Sequence, residues 1–448
     1  MKLPAYLRTK PSGVEWLGDV PENWEAKRLK YSASINDEAL PETMLPDFEF
    51  EYVDIGGVSA VDGITATEQV VFENAPSRAR RRVRHGDTIV STVRTYLRAI
   101  APIKNPPENL IVSTGFAVVR PRKVEPAFLA YALRESSFIE SVVARSVGVS
   151  YPACNASEVG GIPIPLPDSA EQRAIAAFLD RETGRVDRLV AKKRELIVRL
   201  KEKRTALISR TVTRGLPPDA ARAAGLPEHP PLKPSGIEWL GDIPKHWESA
   251  QLRRKAQILD CKHRTVPFID DGIPLASIRE VHGFEVDLTN AKQTSEEEYL
   301  ALIEGDRRPR LGDIIYSRNA TVGDAALVTT SERFCMGQDV CLIRAPKHHS
   351  KYLLYLFRSA PLMEQVESLM IGSTFRRINV GQIHAFWICI PPLPEQAAIA
   401  AYLDAETAKL DALVGKVEEA VERLQEYRTA LITATVTGKI DVRKAPIP

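Results

Sequence analysis

Short apolar runs punctuated by Gly, Pro and Asp alternate along the chain with two long stretches whose apolar residues recur every three or four positions. DTIVS at 87–91, FAVVR at 116–120 and DIIYS at 313–317 have the length and the β-branched content of buried strands. FLAYALRESSFIESVV at 128–143 and YLLYLFRSAPLMEQVESLM at 352–370 read as helices. From 169 to 213 no proline occurs, and Leu179, Val186, Leu189, Leu196, Leu200 and Leu207 follow a 7-3-4 spacing once Lys193 and Lys203 are included. Leu403, Leu410, Leu413, Val417, Ala420, Leu424, Tyr427 and Leu431 form an unbroken heptad seam in a second such stretch. Pro165 and Pro167 precede the first stretch, Pro392 and Pro394 the second, and Gly215 and Gly438 follow them, as helix punctuation predicts.

The two stretches are copies, and so is nearly everything else. KPSGVEWLGDVPENWE at 10–25 returns as KPSGIEWLGDIPKHWE at 233–248, displaced by 223 residues. EQRAIAAFLDRET at 171–183 returns 224 residues later as EQAAIAAYLDAET, and RTALISRTVT at 204–213 returns as RTALITATVT. Between these anchors the halves diverge, with weaker echoes in order: RHGDTIVS faces RLGDIIYS, FAVVRP faces VCLIRAP, FLAYAL faces YLLYLF. Both divergent regions therefore share one mixed α and β fold.

A helix with one apolar stripe needs a partner. Either each stripe packs on its own module, or the two helices pack on each other; four heptads exceed what one small module covers, which favours the pair. The predicted fold class is α+β: two mixed α/β modules separated by two long helices that form an antiparallel coiled coil. The repeat is cyclic, with the last connector placed first in the chain, so the amino terminus belongs beside the end of the second helix. The segments are 1–25 (connector), 26–165 (module), 166–215 (helix), 216–248 (linker and second connector), 249–391 (module), 392–437 (helix) and 438–448 (tail). The linker part, 217–234, holds six prolines and reads as a surface crossover.

Two similar but different modules on a rigid spacer would read two different half-sites at fixed separation. The about 28 residues of the first seam span about 42 Å, a little over the about 34–36 Å of one DNA turn. A net charge of +2 on 448 residues means that any nucleic-acid footprint must come from local clusters. Arg78, Arg80, Arg81, Arg82 and Arg84 fall within seven residues, followed by Arg94, Tyr96 and Arg98. The second module offers Arg307, Arg308, Arg310, Arg318, Asn319, Arg376 and Arg377. Arginine bonds phosphate oxygens or guanine O6 and N7 in pairs. Each alone also fits ordinary solvated surface. Trp16, Trp24, Trp239 and Trp247 in the connectors are candidate partner-docking residues, and fastening connector to helix is the alternative role.

The 44% hydrophobic and 26% charged content matches a soluble globular protein. No run of about 18 apolar residues occurs and the amino terminus lacks a signal-peptide core, so a cytoplasmic location is expected. Cys154, Cys261, Cys335, Cys341 and Cys389 contain no CxxC pair and read as buried thiols. The eight histidines include no HExxH, and no ligand-like grouping beyond the loop pair His348–His349, so no metal site is expected. Phosphate-loop, GxGxxG and GxSxG motifs are missing. Asn105-Pro106-Pro107-Glu108 resembles a methyltransferase N-P-P-aromatic motif without its aromatic residue, and reads as a surface turn. Catalytic residues are therefore expected in partners.

SGVEWLGDVPENWE and SGIEWLGDIPKHWE before each variable region, the proline-rich entry into EQxAIAAxLD and the closing RTALIxxxVT resemble the specificity subunits of type I restriction–modification systems, over essentially the whole chain. In the first copy three extra residues separate Leu166-Pro167 from Glu171, compared with Leu393-Pro394 and Glu395. The resemblance implies a non-catalytic subunit whose two target-recognition domains read a bipartite, asymmetric double-stranded DNA sequence. The paired helices would set the unspecified gap. Two methylation subunits carrying S-adenosylmethionine would modify adenine in each half-site, and two motor–nuclease subunits using ATP and magnesium would join for cleavage. No cofactor is expected on this chain. A stand-alone bipartite DNA-binding regulator and a coiled-coil protein scaffold are the alternatives that the residues themselves leave open.

Overall fold

The computed structural model of the chain describes residues 4–59, 61–149, 151–370 and 377–443. It divides into two compact units, one made of Met1–Arg194 with Glu419–Pro448 and the other of Glu195–Glu418. Two long helices, Ser169–Arg214 and Leu393–Val436, each give one half to each unit.

In the first unit an antiparallel sheet runs in the order Ile100–Pro102, Thr88–Ser91, Phe116–Pro121, Ala33–Ile35. All four residues of Thr88–Ser91 are buried, because the strand is covered on both faces. A second sheet, Glu68–Val71, Glu49–Val53, Leu110–Ser113, Ala79–Arg82, contains one parallel pair. The second unit repeats the first sheet as Ala325–Leu327, Ile314–Ser317, Val340–Arg344, Gln257–Asp260. It repeats three strands of the second sheet as Gln293–Thr294, Ile273–Ala276, Cys335–Met336, with the same parallel pair. Helix Glu296–Ile303 stands where the first unit has strand Ala79–Arg82. The ends of each module are tied by one antiparallel pair, Glu25–Arg28 with Pro163–Leu166 and Glu248–Gln251 with Trp387–Ile390.

The helices pair antiparallel in both units. Within the first, Arg428 donates to Asp187 at 2.9 Å; within the second, Arg204 donates to Asp411 at 2.9 Å. Position rises on one helix as it falls on the other. The inward-facing residues differ in part from the predicted seam. Leu179, Val186, Leu403, Leu410 and Leu431 are buried, and Leu200, Leu207, Val417 and Leu424 are half-buried. Leu189, Leu196 and Leu413 are exposed, while Val190 is buried and Ile197 and Val414 are half-buried. Both a three-residue and a four-residue step from Val186 reach an apolar side chain. At about 100° per residue the four-residue step to Val190 stays nearer the contact line that Lys193, Ile197 and Arg204 continue. The sequence pattern alone chose the leucines; packing chose their β-branched neighbours. Arg204 and Arg428, not Lys203 and Tyr427, take the polar seam positions.

The first helix begins at Ser169, with Asp168 accepting the Glu171 amide at 2.9 Å, and the second at Leu393. Gln172 donates to the Pro167 carbonyl at 2.8 Å and Gln396 to that of Pro391 at 2.8 Å. These equivalent bonds align Asp168-Ser169-Ala170 with Pro392-Leu393-Pro394. The three residues are a replacement of one helix start by another, not the insertion that the sequence suggested.

The cyclic repeat is visible within the first unit. Tyr6, Leu17, Val20 and Trp24 share a core with Leu431, Ile432, Val436 and Val442, Asp441 donates its amide to Pro4 at 2.8 Å, and Lys439 reaches the Asp19 carbonyl at 2.9 Å. Gly438 is left-handed (φ +72°), and a Cβ there would overlap Pro21. The helix therefore ends against the connector that opens the chain.

Candidate nucleic-acid interface

Each module is held by an aspartate that closes a turn and then grips an arginine from the neighbouring strand. Asp87 accepts the Arg84 amide at 2.8 Å and takes both Nε and Nη2 of Arg120 at 3.0 and 2.9 Å. Asp313 accepts the Arg310 amide at 2.9 Å and the same two groups of Arg344 at 3.0 and 2.7 Å. Both carboxylates are buried, and fork-on-carboxylate geometry is the strong form of this bond. The echoes RHGD/RLGD and VVRP/LIRAP are thus two ends of one clamp. A second clamp joins module to long helix: Tyr131 donates to Asp180 at 2.8 Å and Tyr355 to Asp404 at 2.8 Å. Burial pushes both hydroxyls up to about 12, so both stay protonated as donors.

The predicted arginines divide on this frame. Arg78 pairs with Asp54 at 2.7 Å, Arg84 with Glu38 at 2.5 Å, Arg98 with Glu140 at 2.6 Å, and Arg310 with Asp306. Arg307 bonds the carbonyls of Asp260 and Glu304, each at 2.7 Å. Arg80 lies over the Phe72 ring at 4.8 Å, and Arg81 is half-buried. Arg318 is a correction. It is 3% exposed and bonds Asp260 at 2.8 Å, because it directly follows a fully buried strand and points into the unit, where it cannot reach a ligand. Its neighbour Asn319 is half-buried and bonds its own chain at Ala320. Arg82, Arg308 and Arg377 are exposed and form no ion pair among the described residues. Tyr96 is exposed, and Arg94 lies 4.8 Å over the Tyr151 ring. Arg376 lies outside the described residues.

Trp24 and Trp247 are also corrected: they are 0% and 1% exposed and fasten the connectors, so they offer no docking surface. Gly215 and Gly438 leave room for their rings at the helix ends. Trp16 and Trp239 are half-buried against the cores. One group that sequence reading missed brings ligand atoms together: those of Asp260, Cys261 and His263 lie within 4.8 Å of one another. Arg318, at 2.8 Å from Asp260, already supplies the positive charge there.

Tyr151, Val147 and Val149, all exposed, were also missed. Val147, Val149 and Tyr151 alternate with Gly148 and Ser150 in the sequence, a period-2 signal, but nothing in that spacing shows that the segment returns to Arg94.

Repeated modules with unlike exposed edges, joined to paired helices by matching bonds, define a two-part recognition scaffold. The family model described as type I restriction modification DNA specificity domain matches residues 21–198 and 273–423. The chain belongs to this family and is a specificity subunit of a type I restriction–modification system, a DNA-recognition component. Two stretches matched in one chain fit recognition of a two-part target. It is similar to two chains of Methanocaldococcus jannaschii. One is described as the MjaX type I restriction enzyme specificity subunit, 24% identical over 95% of this chain and 96% of that one. The other is the MjaVIII specificity subunit, 24% identical over 95% and 94%. A solved structure concerned with complex assembly and conformational transition of the type I R-M system shares the fold. Its TM-score is 0.70 at 24% identity, covering 94% of this chain and 99% of that one. No helix among the described residues is long and apolar enough to cross a membrane.

Proposed function

We propose that this chain reads an asymmetric double-stranded DNA target in two halves, one half-site per module, with the length of the paired helices fixing the unspecified gap between them. The observation that carries this reading is the contrast within the repeat. The helices and connectors repeat near-identical segments and matching tethers, the Tyr131–Asp180 and Tyr355–Asp404 bonds, while the modules keep one frame and change their exposed side chains. Arg82, Arg308 and Arg377 are the phosphate contacts of this reading, since exposed cations without an acidic partner are free to release counterions on DNA.

The connectors support two seats for one partner. Glu15, Gly18 and Asp19 are exposed in the first, and Glu238, Gly241 and Asp242 in the second. Two methylation subunits occupy them, bringing S-adenosylmethionine to an adenine in each half-site. Two motor–nuclease subunits with ATP and magnesium complete the cleaving complex. This chain itself holds no metal or cofactor, and it acts in the prokaryotic cytoplasm, where its DNA is.

Co-expression with a type I methylation subunit, followed by native mass measurement and DNA binding at fixed salt, tests this. The expected result is two methylation subunits per chain and tight, sequence-specific binding only by the complex. Equally tight specific binding by the chain alone would establish a stand-alone regulator instead.

A further inference from the structure

At the end of strand Thr88–Ser91 the first module carries a turn pressed against a hairpin. Ser91 Oγ donates to the Val93 carbonyl at 2.5 Å, the Thr92 amide to Gly115 at 2.8 Å, and the Cys154 amide to Thr92 at 2.9 Å. Val93 bridges Ala153, and Arg94 sits in the left-handed region at φ +51°. The second module builds the same frame. Ser317 Oγ donates to the Asn319 carbonyl at 3.2 Å, the Arg318 amide to Asp339 at 2.8 Å, and the Ile378 amide to Arg318 at 2.9 Å. Asn319 bridges Arg377, and Ala320 is left-handed at φ +55°.

What the two frames carry differs. In the first module Arg94, half-buried, lies over the exposed Tyr151 ring at 4.8 Å. Val147 and Ala153 exchange backbone bonds of 2.9 and 3.1 Å that close the hairpin. Val147 is 83% exposed and Val149 fully exposed. Tyr96 and Leu97 are exposed on the facing turn. The equivalents of Val93, Arg94 and Ala153 in the second module are Asn319, Ala320 and Arg377. A partner protein seated on both modules would need matched side chains, as the connectors have. A site with a fixed backbone address and unlike side chains is instead what two different DNA words require.

We propose that Arg94, Tyr151, Val147 and Val149 form the base-reading edge of the first module, a proposal that rests on the bipartite reading above. Left-handed backbone at a non-glycine residue is uncommon and collects at functional positions. Here it turns the Arg94 side chain onto the tyrosine ring, which holds the guanidinium plane in place before any ligand arrives. A pre-set fork of two N–H groups fits guanine O6 and N7 in the major groove, and exposed branched methyls fit the thymine methyl.

The test is sequencing of methylated sites in DNA from cells that make the full chain with its methylation subunit, comparing the natural chain with Arg94→Ala, Tyr151→Ala and Val149→Ser. The expected result for Arg94→Ala is a roughly 10- to 100-fold loss of preference at one guanine of one half-site. The other half-site stays intact and reports folding and assembly. Unchanged words in both halves with Arg94→Ala and Tyr151→Ala overturn the proposal while leaving the bipartite reading in place. A continuous word from the natural chain overturns both. Should Arg94→Ala abolish methylation, Val149→Ser decides: its side chain is fully exposed, so relaxation of one half-site supports the proposal and an unchanged word refutes it.

Discussion

Asp87 and Asp313 each accept a turn amide and a two-pronged arginine, tying the turn to the neighbouring strand of each antiparallel sheet. Removing Asp87 takes two charge-assisted bonds from Arg120, which keeps its bond to Glu38 at 2.8 Å, at a cost of about 1.5–3 kcal/mol. Asp87→Ala is expected to destabilise the first module by that amount, seen as faster amide exchange in strands Thr88–Ser91 and Phe116–Pro121. Unchanged protection there would show that Glu38 alone holds Arg120 in place. At this scale the sequence was half legible. The arginine cluster of 78–84 stood out. Its partners Asp54 and Glu38 did not, because they lie far away in sequence and only the sheet order brings them near. Nothing in the spacing of Arg318 separates it from Arg82 either. One follows a strand buried on all residues and is taken inward, while the other ends an edge strand.

The long helices were legible in length, punctuation and pairing, and misread by one position at three leucines. The misreading has a measurable consequence. Val190→Ser, at a buried seam position, is expected to cost about 1.5–3 kcal/mol, whereas Leu189→Ser, on the exposed flank, stays within about 1 kcal/mol. Urea denaturation of the two variants separates them, and equal losses would return Leu189 to the seam. In the proposed reading the helices are also the spacer. One heptad inserted after Leu196 and another after Ala420 adds about 10 Å to each helix, which at about 3.4 Å per base pair lengthens the unspecified gap by about three base pairs. Both half-site words should survive the insertion. Changed words would contradict the division of labour between helices and modules.

The whole chain repeats one design cyclically, and this was legible because near-identical segments recur in order. What sequence left hidden was where the modules read, since that edge forms only when the hairpin near Ala153 returns to the turn near Arg94. Replacing residues 26–165 with the corresponding module of another specificity subunit should change one half-site word and leave the other, as site sequencing would record. The central claim, that this chain supplies both words and the distance between them, is tested most directly by sequencing every methylated site made by the natural chain with its methylation subunit. The account predicts one asymmetric motif of two specified words around a gap of constant length. A continuous motif, or two words at variable spacing, would contradict it.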